Sequence, residues 1–243
     1  ESYESFNKAA EESLALSRAF WDEMILQIPA LQERRNKVES RSLVRRHLLK
    51  GDYTGKPLDK ITLITHTNDS AGYDRDAGSI YANRTAIATE LGNNFTDRTS
   101  QRLKILATVF HEFCHAVQHY LGTLNKQSYV AHIVLEDFQE DFNDFMLGVF
   151  AQWLTEKGTI PEHAVAILSD LQLLIGTDVV RADNGQYKGL DHTAGRSPQG
   201  HEISDVRSRL FDAGRRLAQE SGVVGATEHC FKTYKDRGNV LGV

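Results

Sequence analysis

The sequence predicts an α+β domain that is mostly helical and contains a small sheet. Long stretches place apolar residues three and four positions apart, which is the spacing of an amphipathic helix, and only two short segments resemble strands. One predicted helix carries His111, Glu112 and His115 in the pattern His-Glu-x-x-His. Together these observations predict the fold class and indicate the helix around which the chain is organised.

The composition is that of an ordinary globular protein, with 40% hydrophobic and 25% charged residues among 243. A net charge of −5 argues against a general nucleic-acid binder, which must neutralise phosphates. No run approaches the ~18 apolar residues of a membrane span, so no membrane partner is expected. Two cysteines do not make a disulfide framework. We therefore expect a cytoplasmic protein, with a secreted toxin or effector as the alternative.

Two regions are predicted: an N-terminal helical region over 1–57, and a domain over 58–243 that contains the His-Glu-x-x-His motif. One continuous domain is the alternative. Pro29 is expected to divide or kink the N-terminal helix. The stretch after it is basic, from Arg34 to Lys50. We interpret this stretch as a solvated helix surface, with a basic binding face as the less favoured interpretation.

The predicted strands lie between the N-terminal helices and the motif. Residues Lys60–Thr67 and Ser79–Ile87 have the composition of strands, and the polar stretch Asn68–Gly78 between them is expected to be a turn region. Thr96 or Asp97 is expected to cap the motif helix, which should end near Gly122.

Helices are predicted for most of the remaining chain. Expected helical segments are 129–157, a segment opened by Pro161, 203–221 and 226–237. The stretch 176–201 is rich in Gly and polar residues, and a loop of that length in a compact domain is often functional.

The His-Glu-x-x-His motif predicts a zinc site. Residues four apart on a helix lie on one face, so His111 and His115 can direct a ring nitrogen each at one Zn²⁺. Glu112 lies beside the pair and is the expected general base on a metal-bound water. The motif therefore predicts two metal ligands and one catalytic carboxylate.

A catalytic zinc normally has three protein ligands, and His119 is a poor candidate for the third. On one continuous helix its Cα lies about 12 Å from that of His111. The metzincin spacing also fails, because Gln118 and Leu121 stand where that pattern requires Gly and His. We expect His119 to be a surface residue or a neighbour of a ligand.

The acidic helix that follows offers a better third ligand. If the two helices form an antiparallel hairpin, the pairs His115–Glu136 and His111–Glu140 share the midpoint 125.5 and lie side by side. This register predicts Glu136 as the third ligand and Glu140 as a brace for the His111 ring. A slip of one turn would exchange the two roles. The alternative is that the acidic residues form a solvated face.

Over roughly residues 79–157 the chain resembles the gluzincin group of zincin metallopeptidases. There, a Glu on a following helix completes the two histidines, and a carboxylate one turn later braces one of them. His111, Glu112, His115 and Glu136 match this pattern, while Glu140 stands where an Asp is more usual. The resemblance implies a zincin-like fold and a bound Zn²⁺.

The resemblance also implies a hydrolase that cleaves a peptide or protein substrate. Ser79–Ile87 would be the edge strand beside the cleft, where an extended peptide adds by main-chain pairing. Gluzincins usually aim a Tyr or His at the carbonyl oxygen, and the 176–201 stretch offers Tyr187, then His192, then His201. The alternatives are a zinc hydrolase of a non-peptide amide or ester, and a catalytically inactive interaction module.

Overall fold

The computed structural model describes residues 3–36, 56–66, 71–74, 76–92, 96–121, 132–172 and 203–236. Within them the chain is mostly helical with one three-stranded sheet, which confirms the α+β class. The elements, in order, are α1 (Tyr3–Gln27), α2 (29–36), a 3-10 turn (Leu58–Lys60), β1 (Thr62–Ile64), β2 (Ala71–Asp74), β3 (Ser79–Ala82), α3 (Arg84–Leu91), α4 (Arg98–Tyr120), α5 (His132–Glu156), α6 (Glu162–Gln172) and α7 (Ile203–Asp236).

The sheet has the strand order β1-β3-β2, so β3 is its central strand. β1 pairs with β3 in parallel, and β2 pairs with β3 in the antiparallel direction. The expectation that Ser79–Ile87 forms an edge strand is therefore wrong. The central position of β3 agrees with the burial of Ile80 and Ala82.

β2 lies inside the stretch that the sequence predicted as a turn region. Its real turn is short: the Asp74 carboxylate accepts hydrogen bonds from the backbone of Asp76 and Ala77, at 2.9 and 3.0 Å. Gly78 closes the turn at φ 67°, a backbone angle that favours glycine. The predicted turn over Asn68–Gly78 was too long, because pairing with β3 makes a strand of residues with weak strand propensity.

The second predicted strand, Ser79–Ile87, was too long at its C-terminal end. Asn83 accepts a hydrogen bond from the Ala86 backbone at 3.0 Å and caps α3, so the strand ends at Ala82. The apolar residues at 86 and 87 belong to that helix. A short apolar run does not separate strand from helix by periodicity alone, and here the Asn cap is the deciding signal.

The core is aromatic and joins four helices. Phe20 and Trp21 of α1 contact Phe110 of α4, with ring centroids 5.6 and 6.4 Å apart. Phe150 of α5 stacks on Phe110 at 4.0 Å, and Phe231 of α7 contacts Trp21 at 6.0 Å. Helix α1 therefore shares its core with the helices of the motif region. The division predicted at residue 57 stays a prediction.

Helix α7 is broken at Gly222, where φ is 79° and ψ is 160°. Its first half runs beside α5 in the same direction, and the two backbones come so close that a Cβ at Gly148 would lie 2.0 Å from the Phe211 carbonyl oxygen. The second half of α7 turns back toward α5, where the ring centroid of Phe231 lies 5.1 Å from that of Phe142. This agrees with the two predicted helices on either side of 222–225.

Two predicted helix boundaries agree with the observed ones. α5 ends at Glu156, shortly before Gly158 with its φ of 69°, and α6 begins directly after Pro161. Within the described residues, no helix combines the length and apolar character needed to cross a membrane.

Candidate metal centre

Helix α4 carries the motif and is held at its start by Asp97. The carboxylate of Asp97 accepts a hydrogen bond from the Ser100 hydroxyl at 2.5 Å and one from the Ser100 backbone at 2.8 Å. These bonds, the hydroxyl first, hold the pKa of the Asp97 carboxyl below its usual value. Of the two caps predicted, Asp97 is the one observed.

His111 and His115 lie one turn apart on α4, with ring centroids separated by 5.1 Å and ring planes at 80°. His111 is buried and His115 is half-buried. Their predicted placement on one face of a helix is confirmed. Their role as metal ligands stays a prediction.

Asn143 of α5 contacts both rings. Its side-chain nitrogen Nδ2 lies 3.1 Å from Nε2 of His115 and 3.5 Å from Nε2 of His111. The same atom is 3.4 Å from Nδ1 of His115, so it is nearly equidistant from the two nitrogens of that ring. Asn143 is fully buried. The two Nε2 atoms therefore approach a common point that a side chain of α5 also reaches.

Gln118 completes this polar cluster. Its Oε1 lies 3.3 Å from Nδ1 of His115, and its Nε2 donates to Oδ1 of Asn143 at 3.2 Å. Gln118 is also buried. Sequence reasoning missed both amides as site residues. Gln118 carried a usable signal, because it follows His115 by three positions on a helix and so shares its face.

Glu112 stands between the histidines on the buried helix and is 7% exposed. Its carboxylate is thus largely removed from bulk water, next to the two imidazoles in sequence. A general base must lie within hydrogen-bond reach of the proton that it takes, and the catalytic role of Glu112 stays a prediction.

The helix register differs from the prediction. The pair His115–Asn143 is centred on position 129 and the stacked pair Phe110–Phe150 on position 130, rather than on 125.5. On α5 the residue opposite His115 is thus Asn143, seven positions after Glu136, or two helical turns. The predicted register, which paired His115 with Glu136, differs from the observed one by that displacement, and Glu136 as the third ligand stays a prediction. Packing of the aromatic rings sets the register, not the turn residues between the helices.

Glu136 and Glu140 belong to α5, but their side chains lie outside the described residues. Among the residues that are described, no three His, Cys, Asp or Glu side chains form a group that could hold a metal ion. The described residues thus bring two imidazoles together without a third ligand of these types, and the zinc site stays a prediction.

The next residue on α5, Asp144, ties this helix to α7. Nη2 of Arg207 lies 3.0 Å from Oδ1 of Asp144, and Nε lies 3.1 Å from Oδ2. The Asp144 carboxylate is 1% exposed, so this acidic residue of α5 is not part of a solvated face.

His119 is half-buried rather than fully exposed, and its ring centroid lies 5.7 Å from that of Tyr73 on β2. This contact places the antiparallel edge strand beside the end of α4 that follows the motif. β2, rather than Ser79–Ile87, is thus an edge strand, and it lies near this end of α4.

The predicted carbonyl-stabilising residues Tyr187 and His192, and the third option His201, lie outside the described residues. A cavity of about 420 Å³ between α6 and α7 is a separate feature, lined among others by Glu162, Asp170, Phe211 and Arg215. The predicted site residues whose side chains are described, His111, Glu112 and His115, do not line it.

No protein-family model matches this chain, and neither the curated proteins nor the solved structures contain a significant match.

Proposed function

We propose that the chain is a zinc-dependent metallopeptidase with a zincin-like arrangement of α4, α5 and the sheet. The observation that carries the proposal is the convergence of two imidazole Nε2 atoms, from His111 and His115, on one buried point. Glu112 lies on the same helix between them. Two neutral nitrogen donors beside a buried carboxylate is a donor set that zinc hydrolases use.

His111 and His115 would hold the zinc through their Nε2 atoms, and Nδ2 of Asn143, which now faces both atoms, would give way to the metal. When bound, zinc lowers the pKa of a water molecule and polarises the scissile carbonyl. Glu112 would accept a proton from the attacking water and pass it to the leaving amine. The low exposure of Glu112 strengthens this electrostatic step, because charges interact more strongly away from bulk water.

For the third ligand, the observed register supports Glu140 over Glu136. Glu140 precedes Asn143 by three positions, about 4.5 Å along the helix axis, whereas Glu136 precedes it by about 10.5 Å. Residues three apart also share a helix face, and Asn143 contacts both histidines. Glu140 therefore takes the ligand role that the sequence had given to Glu136.

The proposed substrate is an extended peptide that pairs with β2. In the strand order β1-β3-β2, β2 is an edge strand of the described sheet, and an extended peptide can add to an edge strand by main-chain pairing. The contact between Tyr73 and His119 puts that edge beside the end of α4. Tyr187 and His192 remain the proposed partners of the carbonyl oxygen.

The decisive experiment compares Glu112→Gln with the wild-type protein. Because Glu112 is not proposed as a ligand, the variant should keep its zinc, whereas turnover of a peptide library should fall by about 10²–10⁴-fold. Zinc content is measured by mass spectrometry and turnover by proteome-derived peptide cleavage. His115→Ala is the matched variant that should lose both zinc and turnover.

Two results would contradict the proposal in different ways. A Glu112→Gln variant that cleaves peptides at the wild-type rate would remove Glu112 from the mechanism. A wild-type protein without zinc after expression in zinc-supplemented medium would favour the inactive interaction module. If zinc binds and peptides are not cleaved, a screen of amides and esters tests the remaining hydrolase alternative.

A further inference from the structure

The carboxamides of Gln118 and Asn143 form a closed chain of hydrogen bonds with the two histidines. It runs from Nδ1 of His115 to Oε1 of Gln118, 3.3 Å, and from Nε2 of Gln118 to Oδ1 of Asn143, 3.2 Å. It then runs from Nδ2 of Asn143 to Nε2 of His115 and of His111, at 3.1 and 3.5 Å. We call this chain the amide relay.

The chemistry of an amide gives the relay a direction. An amide oxygen only accepts hydrogen bonds and an amide nitrogen only donates them. Oε1 of Gln118 therefore requires a proton on Nδ1 of His115, and Nδ2 of Asn143 requires lone pairs on the Nε2 atoms that it faces. Nδ2 of Asn143 also lies 3.4 Å from Nδ1 of His115, and the relay uses its shorter contact, 3.1 Å to Nε2. With that contact, the bonds of the relay share this single direction.

We propose that Gln118 and Asn143 are positioning residues that preset His111 and His115 to the tautomer with the proton on Nδ1. A histidine binds a metal through an unprotonated nitrogen, and its other ring nitrogen usually donates to an oxygen acceptor. In this protein the acceptor for His115 is a glutamine on its own helix rather than a carboxylate. As far as it concerns zinc, the inference rests on the proposed function. The tautomer itself is independent of it.

The opposite direction gives a testable contrast. If both amides were turned around, Nε2 of Gln118 would donate to Nδ1 of His115, and Oδ1 of Asn143 would accept from Nε2. Both rings would then carry the proton on the nitrogen that faces α5. That tautomer must move a proton before it can bind a metal through Nε2.

The first measurement is the tautomer in the purified, metal-free protein. Long-range ¹H–¹⁵N correlation spectra of ¹⁵N-histidine protein, at about pH 8 where imidazole is neutral, distinguish Nδ1–H from Nε2–H. Signals are assigned by their loss in His111→Ala and His115→Ala. We expect Nδ1–H for both rings in the wild type. Nε2–H at His115 would overturn the proposal.

The second measurement is zinc affinity by competition with a chromophoric chelator. Gln118→Met keeps the side-chain length and removes both hydrogen bonds, so zinc should bind about 10–100-fold more weakly. Gln118→Glu keeps an oxygen acceptor for Nδ1–H and should bind zinc more tightly than Gln118→Met does. The control is Gln101→Met on the same helix, where the amide contacts only the Thr96 carbonyl, at 3.1 Å, among the bonds observed. It should leave the affinity unchanged.

The outcomes separate the two proposals. If the wild type binds zinc and Gln118→Met binds it as tightly, with His115 still in the Nδ1–H form, the relay has no positioning role. If neither the wild type nor any variant binds zinc, the proposed function fails. The relay is then judged only by whether the tautomer of His115 differs between Gln118→Met and the wild type. Should circular dichroism show that Gln118→Met does not fold, Gln118→Glu decides: Nδ1–H at His115 supports the relay and Nε2–H overturns it.

Discussion

The interface between α4 and α5 has two parts that are built on different principles. In the aromatic part, defined by Phe110 and Phe150, the rings stack with centroids 4.0 Å apart, and Phe20 of α1 covers both. In the amide part, defined by His111, His115, Gln118 and Asn143, the contacts that join the two helices are hydrogen bonds between named atoms. The two parts adjoin on the same two helices.

The difference shows where stability and chemistry reside in this fold. Burial of apolar area is non-directional, so the aromatic part tolerates small shifts and contributes most of the interface energy. A buried amide without its partner costs free energy, so the amide part tolerates only arrangements in which each amide keeps a hydrogen-bond partner. We therefore expect stability to depend on the aromatic part and metal affinity on the amide part.

The largest effect is expected from Phe150→Ala. This ring is fully buried and contacts Phe20, Phe110 and Trp153. Its removal leaves a cavity in the centre of the core and should cost about 4–5 kcal/mol of unfolding free energy. Urea denaturation followed by circular dichroism measures it. Leu26→Ala is the control, because Leu26 is 64% exposed and its truncation should stay within about 0.5 kcal/mol. A cost for Phe150→Ala below 1 kcal/mol would contradict the assignment of stability to this part.

Local signals allowed much of the helical framework to be predicted from the sequence. Asp97 caps α4, Pro161 precedes α6, and Gly158 follows α5, each within a few residues of its predicted position. These features depend on the chemistry of one or two side chains next to the backbone that they cap. The sheet was harder. β2 is a strand because β3 pairs with it, and no residue of β2 by itself indicates that partner.

The site divides in the same way. The placement of His111 and His115 on one face follows from the helical repeat alone, and so does the proximity of Gln118. Asn143 could not be found, because its contact depends on the register between two helices. That register is set by aromatic packing around Phe110 and Phe150, which a hairpin centred on the intervening residues does not represent.

A smaller effect is expected from the two glutamates of α5, and it tests whether the aromatic part sets the ligand geometry. With the register observed, Glu140→Gln should weaken zinc binding by at least about tenfold, because a neutral amide replaces an anionic donor. Glu136→Gln should weaken it less, since it lies two turns from Asn143 along the helix. Both affinities are measured with the same chelator. A more severe loss in Glu136→Gln would return the third ligand to the residue that the sequence first indicated.

The smallest effect concerns the start of α4, far from both parts of the interface. The pKa of the Asp97 carboxyl is lowered, mainly by the Ser100 hydroxyl and then by the Ser100 backbone. A lowered folded-state pKa contributes stability that is complete above the unfolded pKa, near 3.8, and is lost as pH falls through the folded value. Asp97→Asn keeps an oxygen that can cap the helix but cannot titrate. The melting temperature of the wild type should therefore exceed that of Asp97→Asn by a constant amount at neutral pH, and the difference should shrink below about pH 4.

Zinc affinity is the second property to be measured on the Asp97 variants. If the amide part alone determines how the histidines meet the metal, the wild type and Asp97→Asn should bind zinc equally at neutral pH, even though their melting temperatures differ. Asp97→Ala, which also removes the cap, should lower the melting temperature further and still leave the affinity unchanged. A loss of zinc affinity that follows the melting temperature through these two variants would mean that the site depends on the stability of the whole helix. The division between the two parts of the interface would then not hold.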